Sequence, residues 1–150
     1  MFIRNSRIFV SACGYAEGFT PDEIQDKFLK KEKNVFVLSL YGDAYDYSFL
    51  NTVSEYSEIK SIMHMVIASP TGLLYEIFVT PDQKIFTLKR GYQEAVNVNL
   101  LDIMLDVEDR KCKLVKKEQL AYDEPVQVCG LGMSGSAGNF FVDGILAGCY

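Results

Sequence analysis

The first third of the chain carries three runs of residues with a clear secondary-structure pattern. Residues 7–12 form a short apolar run that predicts a strand. Thr20, Pro21 and Glu23 predict a helix to about residue 31, because threonine can cap a helix, proline suits its first position and the glutamate completes a capping box. Residues 35–41 are a continuous β-prone run, and the Gly-Asp pair that follows predicts a turn.

The middle of the chain changes from helical to strand-like spacing. Phe49, Val53 and Tyr56 recur at i, i+4 and i+7, which predicts an amphipathic helix over residues 46–60. Three β-prone runs follow, separated by proline-containing turns: residues 62–68, 73–80 and 84–88. Consecutive strands joined by short turns predict an antiparallel meander.

The last third of the chain leaves one pattern open. Apolar residues between Val96 and Val107 have helical spacing, but residues 101–107 fit equally a strand that turns into a second strand. Residues 126–129 predict a strand that enters a glycine-rich stretch. Further on, Asp143 and Gly144 separate two apolar triplets, a pattern typical of a β-hairpin turn.

Composition places the chain among ordinary globular domains. Its 150 residues are 49% hydrophobic, which is enough for a buried core and predicts one domain over residues 1–150. The formal charge of -5, without clustered lysine and arginine, argues against nucleic-acid binding. The apolar runs are too short to span a membrane, and residues 8–12 are too short for a signal-peptide core, so we expect a cytoplasmic protein without a membrane partner.

The cysteines offer little ligand chemistry. They are scattered, with no pair at the spacing typical of zinc sites, and the chain has only 1 histidine, so we predict no metal and no cofactor. All are predicted to be small core residues in a reducing compartment: Cys13, Cys112, Cys129 and Cys149.

Two segments of the chain resemble proteasome β subunits and the bacterial proteasome-like proteases. Lys27, the strand at residues 35–40 and the Gly-Asp-Ala turn after it are similar to the lysine, strand and glycine turn before the family's first helix. Ser134, Gly135 and Ser136 resemble the family's glycine-serine turn. The resemblance implies an α+β fold, a sandwich of antiparallel sheets flanked by helices, as in N-terminal-nucleophile hydrolases. It places a helix at residues 141–150, so helix and hairpin both stay open there.

The resemblance also implies roles for individual residues. Lys27 matches the lysine that tunes the family's catalytic amine, and Ser134 matches the turn beside it. The family's nucleophile is an N-terminal threonine, whereas this sequence has Met1 and Phe2, neither of which can attack a carbonyl. We therefore expect a structural or assembly subunit, without catalytic nucleophile, of a homo-oligomer or a larger complex. An active threonine-type peptidase, formed by further processing, is an alternative.

A second hypothesis makes the chain a chymotrypsin-like serine protease. The glycines around Ser134, followed by a hairpin, are similar to the nucleophile loop of those proteases, where backbone amides form an oxyanion hole. His64 is then the general base and Asp82 the acid that orients it, in the order along the chain that such proteases have.

Overall fold

The computed structural model describes residues 1–11, 15–135 and 138–149, so Cys13, Ser136 and Tyr150 lie outside the described residues. Within them most of the chain is in strands. In chain order these are β1 (Phe2–Ile3), β2 (Ile8–Ser11), β3 (Glu17–Phe19), β4 (Phe36–Tyr41), β5 (Ala44–Val53), β6 (Ser57–Ala68), β7 (Leu74–Val79), β8 (Lys84–Thr87), β9 (Gly91–Glu94), β10 (Ile103–Leu105), β11 (Lys111–Cys129), β12 (Leu131–Ser134), β13 (Asn139–Val142) and β14 (Ile145–Gly148).

Helix is confined to three short segments of the described residues. The α-helix α1 spans Pro21–Lys27, and single 3₁₀ turns occupy Leu29–Lys31 and Ala95–Asn97. The capping box predicted at the start of α1 is confirmed: the Thr20 hydroxyl accepts from the Glu23 backbone N–H, and the Glu23 carboxylate accepts from the Thr20 backbone N–H. None of these helices has the length and apolar character needed to cross a membrane.

The strands form two antiparallel sheets. The first has the order β1-β7-β6-β11-β10, and β1 also pairs with β11, so four of its strands close into a small ring. The second has the order β12-β5-β4-β2-β13-β14-β8-β9, with β3 added beside β2. The predicted α+β sandwich with flanking helices is therefore wrong, because the helices it needs are strands in the structure.

The segment at residues 46–60 shows why the helix predicted there is absent. Ser48 and Leu50 of β5 point into the core, whereas Phe49 between them is exposed, so burial alternates with the period of a strand. Phe49 pairs across the sheet with Phe36, and the two rings lie 5.8 Å apart, centroid to centroid, on the outer face. The helical spacing combined Phe49 and Val53, both in β5, with Tyr56, which lies in the connection between β5 and β6.

The predicted meander is correct for one pair of strands and wrong for the other. β6 and β7 pair side by side, with Met65 opposite Ile77. β8, however, leaves the first sheet and pairs with β9 and β14 of the second, with Ile85 opposite Ala147. The turn between β7 and β8 therefore carries the chain from one sheet to the other.

The C-terminal segment is a hairpin, as its Asp-Gly pair predicts, and not a helix. Asp143 and Gly144 have φ values of 47° and 93°, the left-handed pair that suits the twist of a two-residue hairpin turn. All residues of β13 and β14 are buried. The hairpin thus inserts into the core instead of lying on it, and Cys149 follows directly after its second strand.

Candidate functional site

The two ends of the described chain lie at one cavity. β1 lies between β7 and β11, which brings Met1 next to the end of β7. The Met1 amine donates to Thr80 Oγ1 at 2.9 Å and to Gln83 Oε1 at 2.7 Å, while the Thr80 backbone N–H donates to the Met1 carbonyl at 2.8 Å. The nitrogen of residue 1 is therefore held by two side chains from the turn that crosses between the sheets.

Gln83 contacts both Met1 and the C-terminal hairpin. Its side chain is buried, and its Nε2 donates to the Gly148 carbonyl at 2.6 Å and to the Lys84 carbonyl at 3.0 Å. The carboxamide oxygen thus accepts from Met1, while the nitrogen donates to Gly148 of the C-terminal hairpin and to Lys84 of β8. A buried carboxamide is stable only when its oxygen accepts a hydrogen bond and its nitrogen donates one. This arrangement therefore fixes the two chain ends relative to each other.

A cavity of 330 Å³ lies where the ends meet. Its lining combines side-chain hydroxyls, glycines and a thiol, contributed by both sheets: Met1, Thr52, Ser54, Gln83, Gly130, Leu131, Gly132, Phe140 and Cys149.

The glycines let backbone and side chains approach closely in this region. A Cβ on Gly132 would lie 2.5 Å from Thr52 Oγ1, and a Cβ on Gly148 would lie 2.9 Å from the Tyr92 ring. The Gly130 N–H donates to Ser54 Oγ at 2.8 Å, which adds a further fixed polar group to the cavity wall.

The electrostatics of the cavity favour neutral groups. Burial lowers the pKa of the Met1 amine, although nearby Asp82 partly offsets it. Burial also raises the pKa of the Cys149 thiol to about 11 and that of Cys129 to about 12. At neutral pH both thiols keep their protons, so each is a weak nucleophile in the resting structure.

An ion pair between buried Asp106 and partly exposed Arg110 supports the hairpin that carries Gly148. The Asp106 carboxylate accepts from Arg110 Nε and from the Tyr75 hydroxyl, both at 2.8 Å. The Tyr75 ring lies so close to Gly144 that a Cβ there would be 2.6 Å from it, and the Val107 N–H donates to the Gly144 carbonyl at 2.9 Å. This cluster therefore holds the turn of the β13–β14 hairpin in place.

Neither of the site residues predicted by the resemblance lines this cavity. Lys27 is on the exposed side of α1, where its Nζ is 3.5 Å from a Glu23 carboxylate oxygen and 5.5 Å from the centre of the Phe19 ring. Ser134 ends strand β12 and accepts a hydrogen bond from Asn51 Nδ2 at 2.6 Å. It does not cap a helix.

The three residues of the alternative triad have other partners or other places in the fold. His64 lies on β6 of the first sheet, where its ring stacks on Phe78 and its Nε2 is 2.8 Å from a Glu76 carboxylate oxygen. Ser134 belongs to the second sheet. Asp82 lies in the turn between the sheets, where its charge acts on the Met1 amine.

Sequence reasoning missed Thr80, Gln83 and Gly148. The first two were assigned to a strand end and an ordinary turn, and Gly148 stood out in no pattern. The cysteines were predicted to be core residues, and within the described residues Cys112 and Cys129 are buried and Cys149 is half-buried. No local signal in the sequence marks Gln83, because its role depends on contacts with residues far away along the chain.

Comparison with solved structures shows the fold of inteins. An intein from a hyperthermophile matches with a TM-score of 0.77 and 15% identity, covering 98% of this chain and 98% of that one. A bacterial intein-like domain from Clostridium thermocellum matches with a TM-score of 0.73 and 15% identity, covering 98% and 96%. A DnaB intein from Synechocystis matches with a TM-score of 0.71 and 14% identity, covering 99% and 97%. Neither a protein-family model nor a curated protein matches the chain.

These matches overturn the expectations drawn from the resemblance. The chain has an intein fold and not the fold of proteasome β subunits or other N-terminal-nucleophile hydrolases. The predicted functions are therefore also wrong: a proteasome-like structural or assembly subunit, a threonine-type peptidase and a chymotrypsin-like serine protease. The short motifs misled because a small-residue turn beside a buried strand occurs in many β-rich folds.

Proposed function

We propose that the chain is an intein-type domain that holds its two flanking ends in one cavity and does not splice. An intein is a domain that cuts itself out of the chain that contains it. The proposal rests on one observation: Gln83 links the nitrogen of residue 1 to the carbonyl of Gly148 inside a fold that inteins share.

The end-to-end coverage of the matches supports equating these ends with those of inteins. The alignment with the hyperthermophile intein covers 98% of both chains, so Met1 and Cys149 lie near the ends of that domain as well. The cavity described above is thus the place where a bond on either side of the domain would be held.

The groups around Met1 do not support cleavage on its N-terminal side. Acyl transfer from a preceding residue needs a hydroxyl or thiol on residue 1, and methionine has a thioether. It also needs a proton for the departing nitrogen. The two side chains that contact the Met1 nitrogen are a threonine hydroxyl and a glutamine carboxamide, and neither is a general acid near neutral pH.

The test attaches a reporter domain ending in glycine ahead of Met1 and measures its release after addition of a small thiol. We expect no release from the natural sequence. Met1→Cys supplies a thiol that can attack the glycine carbonyl and form a thioester, which the added thiol then cleaves. Met1→Cys combined with Gln83→His also supplies a side chain that titrates near neutral pH, and we expect it to release the reporter faster, by about 100-fold or more.

Met1→Ala and Met1→Ala combined with Gln83→His are the matched controls, since they lack the thiol, and we expect no release from either. Release from the natural sequence would contradict the proposal that residue 1 is inert. No release from the Met1→Cys, Gln83→His variant, with the fold intact by circular dichroism, would show that this cavity is not an intein-type site.

A further inference from the structure

The outer face of the second sheet carries a row of exposed aromatic side chains. Phe36 lies opposite Phe49, and Leu38 lies opposite Tyr47, so these side chains and that of Tyr45 share one face of β4 and β5. Tyr45, Tyr47 and Phe49 are 46%, 44% and 38% exposed. Large apolar side chains that lie together in solvent are typical of a surface that binds another molecule.

A groove of 490 Å³ opens on this face, and we call it the aromatic groove. Residues from three strands and one loop contribute to its lining, among them Phe9, Leu38, Tyr45, Tyr47, Val107 and Glu108. Leu38 is buried whereas the two tyrosines are exposed, so the leucine lies at the base and the rings form the walls. None of the residues that the structure describes along this groove also lines the cavity at the chain ends, so the two are separate sites.

The Tyr47 ring is available to a ligand. The Tyr45 ring packs within the protein, because its centroid lies 6.4 Å from that of Phe141. The Tyr47 ring, by contrast, contacts no other aromatic ring and no cation in the described part of the chain, and its hydroxyl has no hydrogen-bond partner there.

Two carboxylates at one end of the groove have no cation beside them. Glu108 and Asp109 are exposed, and neither forms an ion pair with a residue that the structure describes. The nearest cation along the chain, Arg110, is already bound to Asp106. Burial raises the pKa of Tyr45, and the negative charges of this loop, above all that of Asp109, raise it further. The charge of the loop therefore acts on the wall of the groove.

The loop that carries these carboxylates is fixed before any ligand binds. The Asp106 carboxylate accepts from the Glu108 N–H at 3.0 Å, and the Asp106 carbonyl accepts from the Asp109 N–H at 2.9 Å. The Tyr45 hydroxyl donates to the Val107 carbonyl, which ties the loop to β5. A preformed site pays little ordering entropy when it binds a ligand.

We propose that the aromatic groove binds an arginine side chain in a segment of a partner protein. A guanidinium group is planar, stacks on aromatic faces and forms paired hydrogen bonds with carboxylates, so it matches Tyr47 on one side and Glu108 and Asp109 on the other. The apolar stem of arginine packs on surfaces such as that of Leu38. Partners with negative charge, such as nucleic acids or anionic lipids, are repelled by the same carboxylates.

Lysine fits the groove less well than arginine. Its ammonium group is a compact, strongly hydrated charge that cannot lie flat on a ring or bind two carboxylate oxygens in one plane. This inference does not depend on the proposed function, because it uses none of the groups around Met1.

The test titrates the full chain, labelled with ¹³C on its tyrosine rings, with the peptide acetyl-Gly-Gly-Arg-Gly-Gly-amide and follows the ring signals by NMR. We expect saturable shifts of the Tyr45 and Tyr47 signals and none at Tyr122, an exposed tyrosine on β11 of the first sheet. The same peptide with citrulline keeps the shape of arginine without its charge, and we expect it to bind about 10-fold more weakly or less. The lysine peptide should also bind more weakly than the arginine peptide.

Two variants test the two halves of the groove. Tyr47→Leu keeps an apolar side chain but removes the ring, and it should weaken binding of the arginine peptide by about 5-fold or more. Glu108→Gln combined with Asp109→Asn removes both charges and should weaken it by about 10-fold or more. Asparagine tolerates the left-handed backbone of residue 109, where φ is 59°, so this variant should keep the fold.

Matched controls come from the first sheet. Tyr122→Leu removes an exposed ring, and Asp123→Asn combined with Glu124→Gln removes an adjacent pair of exposed carboxylates. Both should leave the affinity for the arginine peptide unchanged. Urea unfolding of every variant shows that a lost affinity is not a lost fold.

Three results would each overturn this inference: no saturable shift with the arginine peptide, equal affinity for the arginine and citrulline peptides, or equal losses in the groove variants and their controls. Sedimentation of the chain alone tests a different occupant. A dimer that Tyr47→Leu converts to a monomer would assign this face to contact between copies of the chain and would also overturn the inference. The reporter experiment at Met1 is unaffected by any of these outcomes, so failure here is distinguishable from failure of the proposed function.

Discussion

Asp106→Asn is the substitution that we expect to weaken the C-terminal hairpin most. Asp106 is fully buried, and its Oδ1 accepts from the backbone N–H groups of Arg110 at 2.8 Å and Glu108 at 3.0 Å. Its Oδ2 accepts from Arg110 Nε and from the Tyr75 hydroxyl. Both oxygens therefore accept hydrogen bonds, and each contacts at least one N–H group.

The loss of unfolding free energy expected for Asp106→Asn follows from these hydrogen bonds. Asparagine has nearly the same shape, but its NH₂ group would face at least one N–H donor whichever way the amide is turned, and the positive charge of Arg110 would lose its partner. Removing one partner of a buried ion pair costs about 3 to 5 kcal/mol, and because the Arg110 side chain is 30% exposed we expect a loss near the lower end, about 3 kcal/mol. Tyr75→Phe removes the hydrogen bond that the hydroxyl donates to Asp106 and the one that it accepts from Arg110 Nη2 at 3.2 Å. It leaves the ion pair intact, so it should cost about 1.5 to 3 kcal/mol.

Urea unfolding followed by circular dichroism measures both variants against the natural sequence. The expected order of unfolding free energies is natural sequence, then Tyr75→Phe, then Asp106→Asn. Tyr75→Phe keeps the experiment informative if Asp106→Asn fails to fold. A loss below about 1 kcal/mol for Asp106→Asn would refute the reasoning, because it would put the pair in the range of solvent-exposed ion pairs.

Three smaller predictions concern the helix cap, the packing at the cavity and the pH dependence. Thr20→Ala removes the hydroxyl that accepts from the Glu23 N–H and should cost about 0.5 to 2 kcal/mol in urea unfolding. Gly148→Ala forces a methyl group toward the Tyr92 ring and should cost about 1 to 3 kcal/mol by the same measurement; an unchanged midpoint would contradict the close approach. Burial alone would raise the pKa of Asp106, but its hydrogen bonds outweigh burial and lower it. The stabilisation by Asp106 should thus be complete above about pH 3.9, the ordinary pKa of aspartate, and should disappear as the pH falls through its lower pKa in the folded state. The unfolding free energy of Asp106→Asn should lack this pH dependence.

Local signals predicted those elements whose structure is fixed by a few neighbouring residues. The cap of α1 needs only Thr20, Pro21 and Glu23, and the hairpin turn needs only Asp143 and Gly144, so both were found. In each case the side chain or backbone freedom that stabilises the element lies within three residues of it. Tertiary contacts could refine such an element but not replace it.

Strand β5 and the first residues of β6 could not be found in the same way, although residues 62–68 of β6 were predicted as a strand. Their spacing imitates a helix because apolar side chains lie on both faces: Leu50 faces the core, while Phe49 pairs with Phe36 on the outside. A strand that carries apolar residues on both faces loses the alternation that identifies it. Only its partners across the sheet distinguish the two structures, and those partners are contributed by distant parts of the chain.

The contacts of the candidate site could not be predicted from the local sequence either. Gln83 follows Pro81 and Asp82, a sequence that predicts an exposed turn, yet the chain crosses between two sheets there and buries the carboxamide. A buried carboxamide needs partners for both its oxygen and its nitrogen, and these are Met1 and Gly148, which lie 82 and 65 residues away. The contact that identifies the site therefore exists only after β1, the crossing turn and the C-terminal hairpin have come together, and replacing Gln83 by a side chain without both a donor and an acceptor should loosen both ends of the domain at once.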